Sequence, residues 1–242
     1  METEDEKKKK LIWLIPLLVV IAVIAAFLIY SGIYYHADGT ARSALSSDEA
    51  VLVSQTSYGW MFDGPSEEDA LVFYPGGKVE ETAYAPLLHL LAADGLDVCL
   101  VRMPFRLAVF GSGKAASIMA MYDYEHWYIG GHSLGGAMAA VYAAGHADSL
   151  TGLILLAAYP TKPLDSALTE ISIYGSEDGV LNLEKAEAGK AYAPGDYLEY
   201  VVAGGNHAQF GNYGAQRGDG SPLISREEQQ QMTAAFIIQN LR

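Results

Sequence analysis

Residues 127–140, WYIGGHSLGGAMAA, constrain the fold more than any other stretch of the chain. Trp127, Tyr128 and Ile129 form a short apolar run of strand character. Two glycines follow, then His132, Ser133 and Leu134, two more glycines, and a run of small helix-forming residues. A run this short, leading straight into a helix, reads as a strand buried on both faces. Gly131 and Gly135 are required where strand and helix backbones approach too closely for side chains. A strand that feeds a helix rather than a hairpin implies parallel pairing and an α/β architecture.

The remainder of the chain carries the same alternation. Short apolar runs at 51–53, 70–74, 97–101, 128–130, 153–157, 171–174 and 197–202 are expected strands. Helical patterns at about 81–93, 115–122, 134–144 and 183–190 lie between them. A last helix is expected from Ser225, where Ser225 and Glu228 have capping-box spacing. Its apolar positions Met232, Ala235, Phe236 and Ile238 to Leu241 would pack on the sheet. The expected fold is α/β: a mostly parallel, twisted sheet flanked by helices.

The amino-terminal segment is of another kind. Residues 11–30, LIWLIPLLVVIAVIAAFLIY, contain no charge. As a helix they would span about 30 Å, the thickness of a bilayer's hydrocarbon core. Lys7, Lys8, Lys9 and Lys10 precede the run and only Arg42 follows closely, so the positive-inside rule places residues 1–10 as a cytoplasmic tail. The run is longer than the apolar core of a cleaved signal peptide, and no small-x-small site follows it directly. Residues 11–30 are therefore expected to be an uncleaved transmembrane signal anchor in the cell membrane. Residues 31–47 would form a polar tether and residues 48–242 an extracytoplasmic domain.

Residues 1–10 hold four acids and four lysines, so the formal net charge of −14 belongs wholly to the part beyond the apolar run. An acidic surface disfavours nucleic acid and anionic lipid surfaces. The single cysteine, Cys99, lies in an apolar strand-like run and excludes both an intrachain disulfide and a thiolate zinc cluster. No metal or organic cofactor is implied. A faint phosphate-loop likeness ending in Gly111-Ser112-Gly113-Lys114 fails at Ala108 and Ala115. Nothing in the sequence sets an oligomeric state.

The turn at Ser133 matches Gly-x-Ser-x-Gly, which lifts a serine hydroxyl to the surface beside a helix amino terminus that favours negative charge. Ser133 is the candidate nucleophile. On such a scaffold the acid and then the histidine follow the serine in the chain. Of six histidines only His146 and His207 come later. His146 ends the very next helix and leaves no room for an acid-bearing strand, so His207 is the candidate base. The acid belongs in the loop after the 171–174 strand, at Asp178, with Glu177 as the alternative. An oxyanion hole needs two backbone N–H donors. These are expected from Leu134 and from Gly77, with Lys78 as the alternative to Gly77.

The segments FYPGGKVE (73–80), GGHSLGGAMAA (130–140), YGSEDG (174–179) and GGNHAQFGNYG (204–214) resemble the α/β-hydrolase superfamily. They are similar in particular to its compact fold-5 group, relatives of the dienelactone hydrolases. The resemblance covers about residues 50–242 and implies Ser133 as nucleophile, Asp178 as acid and His207 as base. Where dienelactone hydrolases carry a nucleophilic cysteine, this chain carries serine. Larger relatives insert a helical lid between the strands expected at 153–157 and 171–174, where this chain has only a dozen or so residues. The site should thus be unlidded, with Phe105, Leu107, Phe110 and Tyr159 as expected pocket walls. The expected reaction is hydrolysis of a small-molecule ester through an acyl-enzyme. An acyltransferase or peptidase on the same residues, or a tethered binding module with a dead site, are the rival readings.

Overall fold

The computed structural model describes the backbone of residues 4–241 and the side chains of residues 13–241; the ends of the expected tail and of the last helix, residues 1–3 and 242, lie outside that range. Two compact units are present, residues 1–34 and residues 35–242. The first holds a single helix, α1 (Glu4–Gly32). Its apolar part, Trp13–Gly32, is the one helix among the described residues long and apolar enough to cross a membrane.

The second unit is built on eight strands: β1 (Leu52–Gln55), β2 (Gly59–Asp63), β3 (Asp69–Tyr74), β4 (Asp97–Val101), β5 (His126–His132), β6 (Gly152–Leu156), β7 (Thr169–Gly175) and β8 (Asp196–Val202). They form one sheet in the order β1-β2-β4-β3-β5-β6-β7-β8. β1 and β2 pair antiparallel, β2 pairs antiparallel with β4, and every pair from β4 to β8 is parallel.

Period-two alternation sorts the strand side chains to two cores. On one face Leu71, Phe73, Val98 and Leu100 pack under α2 (Gly39–Ser43), α3 (Ala85–Ala93) and α7 (Arg226–Gln239). On the other, Ala70, Val72, Tyr74, Cys99 and Val101 pack under α4 (Lys114–Met119) and α5 (Leu134–Ala143). A sixth helix of this unit, α6 (Leu183–Gly189), follows β7. Cys99 lies fully buried beside Met61 and Tyr58, and burial pushes its thiol up to about 12, out of reach of thiolate chemistry at neutral pH.

Two features depart from the sequence reading. β2 was not among the expected strands; it begins on Gly59 and is followed by Gly64, which gives it the look of a loop, and antiparallel pairing to β1 and β4 makes it a strand. The domain also begins at Tyr35 rather than at residue 48. Tyr35 bridges to Val79 in parallel sense, Asp38 caps α2 by accepting from the Ala41 N–H (2.9 Å), and Ala37 and Ala41 are buried. Residues 35–47 are thus folded onto the domain, and only Ile33 and Tyr34 stand between α1 and Tyr35.

Candidate active site

The turn between β5 and α5 forms as its glycines require. A Cβ on Gly131 or Gly135 would run into the Tyr74 carbonyl oxygen at the end of β3, and one on Gly135 would also meet that of Pro75. Ser133 occupies the turn with φ 53° and ψ −121°. That region of backbone space disfavours side-chain-bearing residues and costs on the order of 1–3 kcal/mol, which the surrounding sheet sustains. The Ser133 N–H donates to the Leu156 carbonyl (2.9 Å), and the Ser133 carbonyl accepts from the Ala137 N–H (2.9 Å). Leu134 is the first residue of α5, where the backbone N–H has no acceptor within the helix.

Asp178 follows β7 and His207 follows β8. The His207 Nδ1–H donates to Asp178 Oδ2 at 2.8 Å, and both side chains are shut off from solvent. The other Asp178 oxygen accepts from the Val180 (2.8 Å) and Leu181 (2.7 Å) N–H groups, which fixes the carboxylate. Glu177, the alternative, accepts instead from the Ser176 hydroxyl. Bonding at Nδ1 leaves His207 Nε2 as the lone-pair nitrogen, buried and without a hydrogen-bond partner among the described residues. Ser133 and His207 line one cavity of about 310 Å³ and are not hydrogen-bonded to each other.

Its other walls are Leu134, Ala137, Ala157, Ala158, Tyr159, Thr161, Val180, Leu181 and Asn182, at the carboxyl ends of the parallel strands where α/β sheets hold ligands. Of the expected walls only Tyr159 is among them. Phe105, Leu107 and Phe110 lie elsewhere, because residues 103–110 fold into two short 3-10 turns. There Phe105 and Phe110 meet edge to face, 5.7 Å between ring centres, and both are exposed. The connection between β6 and β7, residues 157–168, holds no helix, so no helical lid stands over the cavity.

The loop after β3 closes on α5, where a Cβ on Gly77 would come within 2.9 Å of Leu134 Cδ2. The Lys78 N–H is taken by the Arg106 carbonyl (2.8 Å) and the Gly76 N–H by the Tyr84 hydroxyl (3.0 Å). The Gly77 N–H meets no acceptor among the described residues.

Two supports were not legible in the sequence. Tyr84 and His132 form a buried pair beneath the loop (2.8 Å). The Tyr84 hydroxyl accepts from the Gly76 N–H (3.0 Å) and shares a hydrogen bond with His132 Nδ1 whose direction follows the imidazole tautomer. Burial, and secondly His207 nearby, lower the His132 pKa well below its ordinary value and keep it neutral. The His132 ring lies 4.5 Å from that of His207. The second support is Asp219, whose carboxylate accepts from the N–H groups of Gly179 (3.2 Å), His207 (3.2 Å), Ala208 (2.8 Å) and Gly220 (2.8 Å). It ties the acid-bearing loop to the base-bearing loop. The only signal in the sequence was a lone Asp between Gly218 and Gly220.

The model of the alpha/beta hydrolase family matches residues 70–231, two thirds of the chain, and the chain belongs to that family. The fold is shared with distant solved structures. A predicted CIB-like hydrolase from Thermoplasma acidophilum is 14% identical over 78% of this chain and 99% of its own, with a TM-score of 0.57. Est1E from Butyrivibrio proteoclasticus is 13% identical over 79% of this chain and 98% of its own, with a TM-score of 0.56. The carboxylesterase CesB of Bacillus subtilis is 9% identical over 84% and 96%, with a TM-score of 0.54. Among curated proteins none matches this chain.

Proposed function

We propose that the chain is a membrane-anchored serine hydrolase that cleaves an ester through Ser133, His207 and Asp178. The observation that carries this reading is the buried Asp178–His207 pair, whose unbonded Nε2 belongs to the same cavity as the strained Ser133. His207 takes the Ser133 proton as the hydroxyl attacks the ester carbonyl, and Asp178 holds the imidazole tautomer and stabilises the imidazolium. The Leu134 and Gly77 N–H groups receive the charge that develops on the carbonyl oxygen. His207 then protonates the departing alcohol and activates the water that releases the acyl group. Ser133 and His207 are not hydrogen-bonded without substrate, and the bond between them is of the kind that forms when substrate closes the site.

The mostly apolar cavity walls suit an acyl chain, and a cavity of this size holds a small organic molecule. CesB, a carboxylesterase on the same fold, favours an ester over an amide. The length of the apolar segment and the lysines before it support an uncleaved anchor with the domain outside the cytoplasm. Ser133→Ala should abolish hydrolysis of a short p-nitrophenyl ester while its thermal melt stays at or above the parent's. A folded variant with undiminished turnover would refute the assignment.

A further inference from the structure

We propose that the groove between α2, α3 and α7 is a second small-molecule site, one that takes a neutral saccharide of one or two rings. It shares no lining residue with the Ser133 cavity, so the inference stands independently of the esterase reading. The groove encloses about 580 Å³, within the range that holds a small organic ligand. Its most deeply buried lining residues are two side-chain amides, Gln230 on α7 and Asn212 in the segment after His207, 3% and 5% exposed. Gln230 Nε2 donates to Asn212 Oδ1 (2.8 Å) and to the Gln209 carbonyl (3.1 Å), which fixes both amides and the sense in which each is turned. Gln230 Oε1 and Asn212 Nδ2 are left without a hydrogen-bond partner among the described residues. Neither atom is sealed inside the protein, so both open on the groove. Buried amides are ordinarily paired at both ends; here one acceptor and one donor stand side by side, facing a cavity.

A hydroxyl is the group that fits such a pair, because its oxygen accepts from Asn212 Nδ2 while its hydrogen goes to Gln230 Oε1. The rest of the groove continues the pattern. Thr40 and Ser43 bring hydroxyls from α2, and Asp48 and Glu227 bring carboxylate oxygens, acceptors for further hydroxyls. Pro86 and Leu90 of α3 supply an apolar strip for the C–H face of a sugar ring. No lysine or arginine lines the groove among the described residues, which removes the partners that a phosphate or carboxylate ligand needs. A purely cationic ligand would leave the Asn212 donor unpaired. The wall formed by residues 44–48 is held in place beforehand. His89 on α3 reaches the Ala44 carbonyl through Nδ1 (3.2 Å) and Asp48 Oδ2 through Nε2 (2.9 Å). Asp48 Oδ1 accepts in turn from the Ala50 and Val51 N–H groups, each at 2.9 Å. A groove fixed in this way loses little freedom when a ligand enters.

The test is saturation-transfer NMR on the full chain in phosphatidylcholine nanodiscs, with empty nanodiscs as the blank. The probes are glucose, galactose, mannose and the disaccharide trehalose, with glucose 6-phosphate and putrescine as anionic and cationic controls. The expected result is saturable transfer to at least one neutral sugar, with a dissociation constant of about 1 mM or tighter, and none to either control. Asn212→Asp keeps the acceptor that holds Gln230 and removes the donor, so it should weaken that sugar about ten-fold, the loss of one hydrogen bond. Gln231 lines the groove from an exposed position on α7, and Gln231→Trp should fill the groove and abolish transfer with the thermal melt unchanged. This second variant decides the matter where the first lowers the melt. No saturable transfer to any of the sugars overturns the site. Transfer undiminished in Gln231→Trp puts the sugar elsewhere and overturns it equally. Stronger transfer to putrescine or to glucose 6-phosphate overturns the ligand class.

Discussion

Asp178 and Asp219 follow similar glycine-flanked loops, yet they do different work. Asp178 meets the His207 ring and Asp219 meets backbone N–H groups on both sides of it. Asp178→Asn places an amide where the Nδ1–H needs an acceptor and favours the wrong tautomer; kcat for a short ester should fall by about a thousand-fold or more with the melting temperature little changed. Asp219→Ala strips four backbone donors of their acceptor and should cost about 2 kcal/mol or more, read as a lower denaturation midpoint. Tyr84→Phe leaves the buried Gly76 N–H unpaired and frees the Gly77 loop, so kcat should drop while KM holds; an unchanged kcat would show that the pair serves only packing. Ser133, His207 and Asp178 could be nominated from the sequence because chain order and strand ends restrict each to one or two positions, and the structure brings the His207 and Asp178 side chains into contact. Asp219 and the Tyr84–His132 pair could not, since the Gly179–Asp219 and Tyr84–His132 contacts join residues 40 and 48 positions apart and no local pattern marks the Asp219 contacts to His207 and Ala208.

Elements were legible where their pattern is local. Every parallel strand was found within a few residues: burial on both faces writes a near-continuous apolar run in β3 to β7, and the edge strand β8 keeps Leu198, Val201 and Val202 beside Tyr197 and Tyr200. Ser225 does cap α7 by accepting from the Glu228 N–H (3.1 Å). β2 was missed because its glycine frame imitates a turn. The pocket walls were missed for a related reason: residues 103–110 lie at a strand end, but their turns with left-handed Phe105 and Arg106 carry the rings away from the cavity. β7 carries one further consequence. Glu170 is buried with neither oxygen hydrogen-bonded among the described residues, and burial pushes its carboxyl from 4.5 up to about 7. Between those values the folded protein keeps a proton that the unfolded chain releases, so stability falls as pH rises and levels off above about 7. The loss is on the order of 2 kcal/mol. Chemical denaturation at pH 5 and pH 8 should show that difference in the parent chain and its disappearance in Glu170→Gln.

For the whole molecule, the sequence separates an apolar helix from an acidic α/β domain, and the structure moves the boundary between them. Residues 35–47 read as a polar tether because small residues such as Ala37 and Ala41 leave no periodic signature, although docking buries both. That shift shortens the expected tether to two residues and brings the entering chain to the loop beside the serine. One cavity then holds Ser133 together with His207, whose ring is fixed by Asp178. The reactivity of the Ser133 hydroxyl is the claim on which the proposed function depends. Labelling the intact chain with a fluorophosphonate and mapping the adduct by peptide mass spectrometry tests it directly. The expected result is a single phosphonyl adduct on Ser133, lost in His207→Ala. An adduct on another residue, or no adduct on folded protein, contradicts Ser133 as the nucleophile.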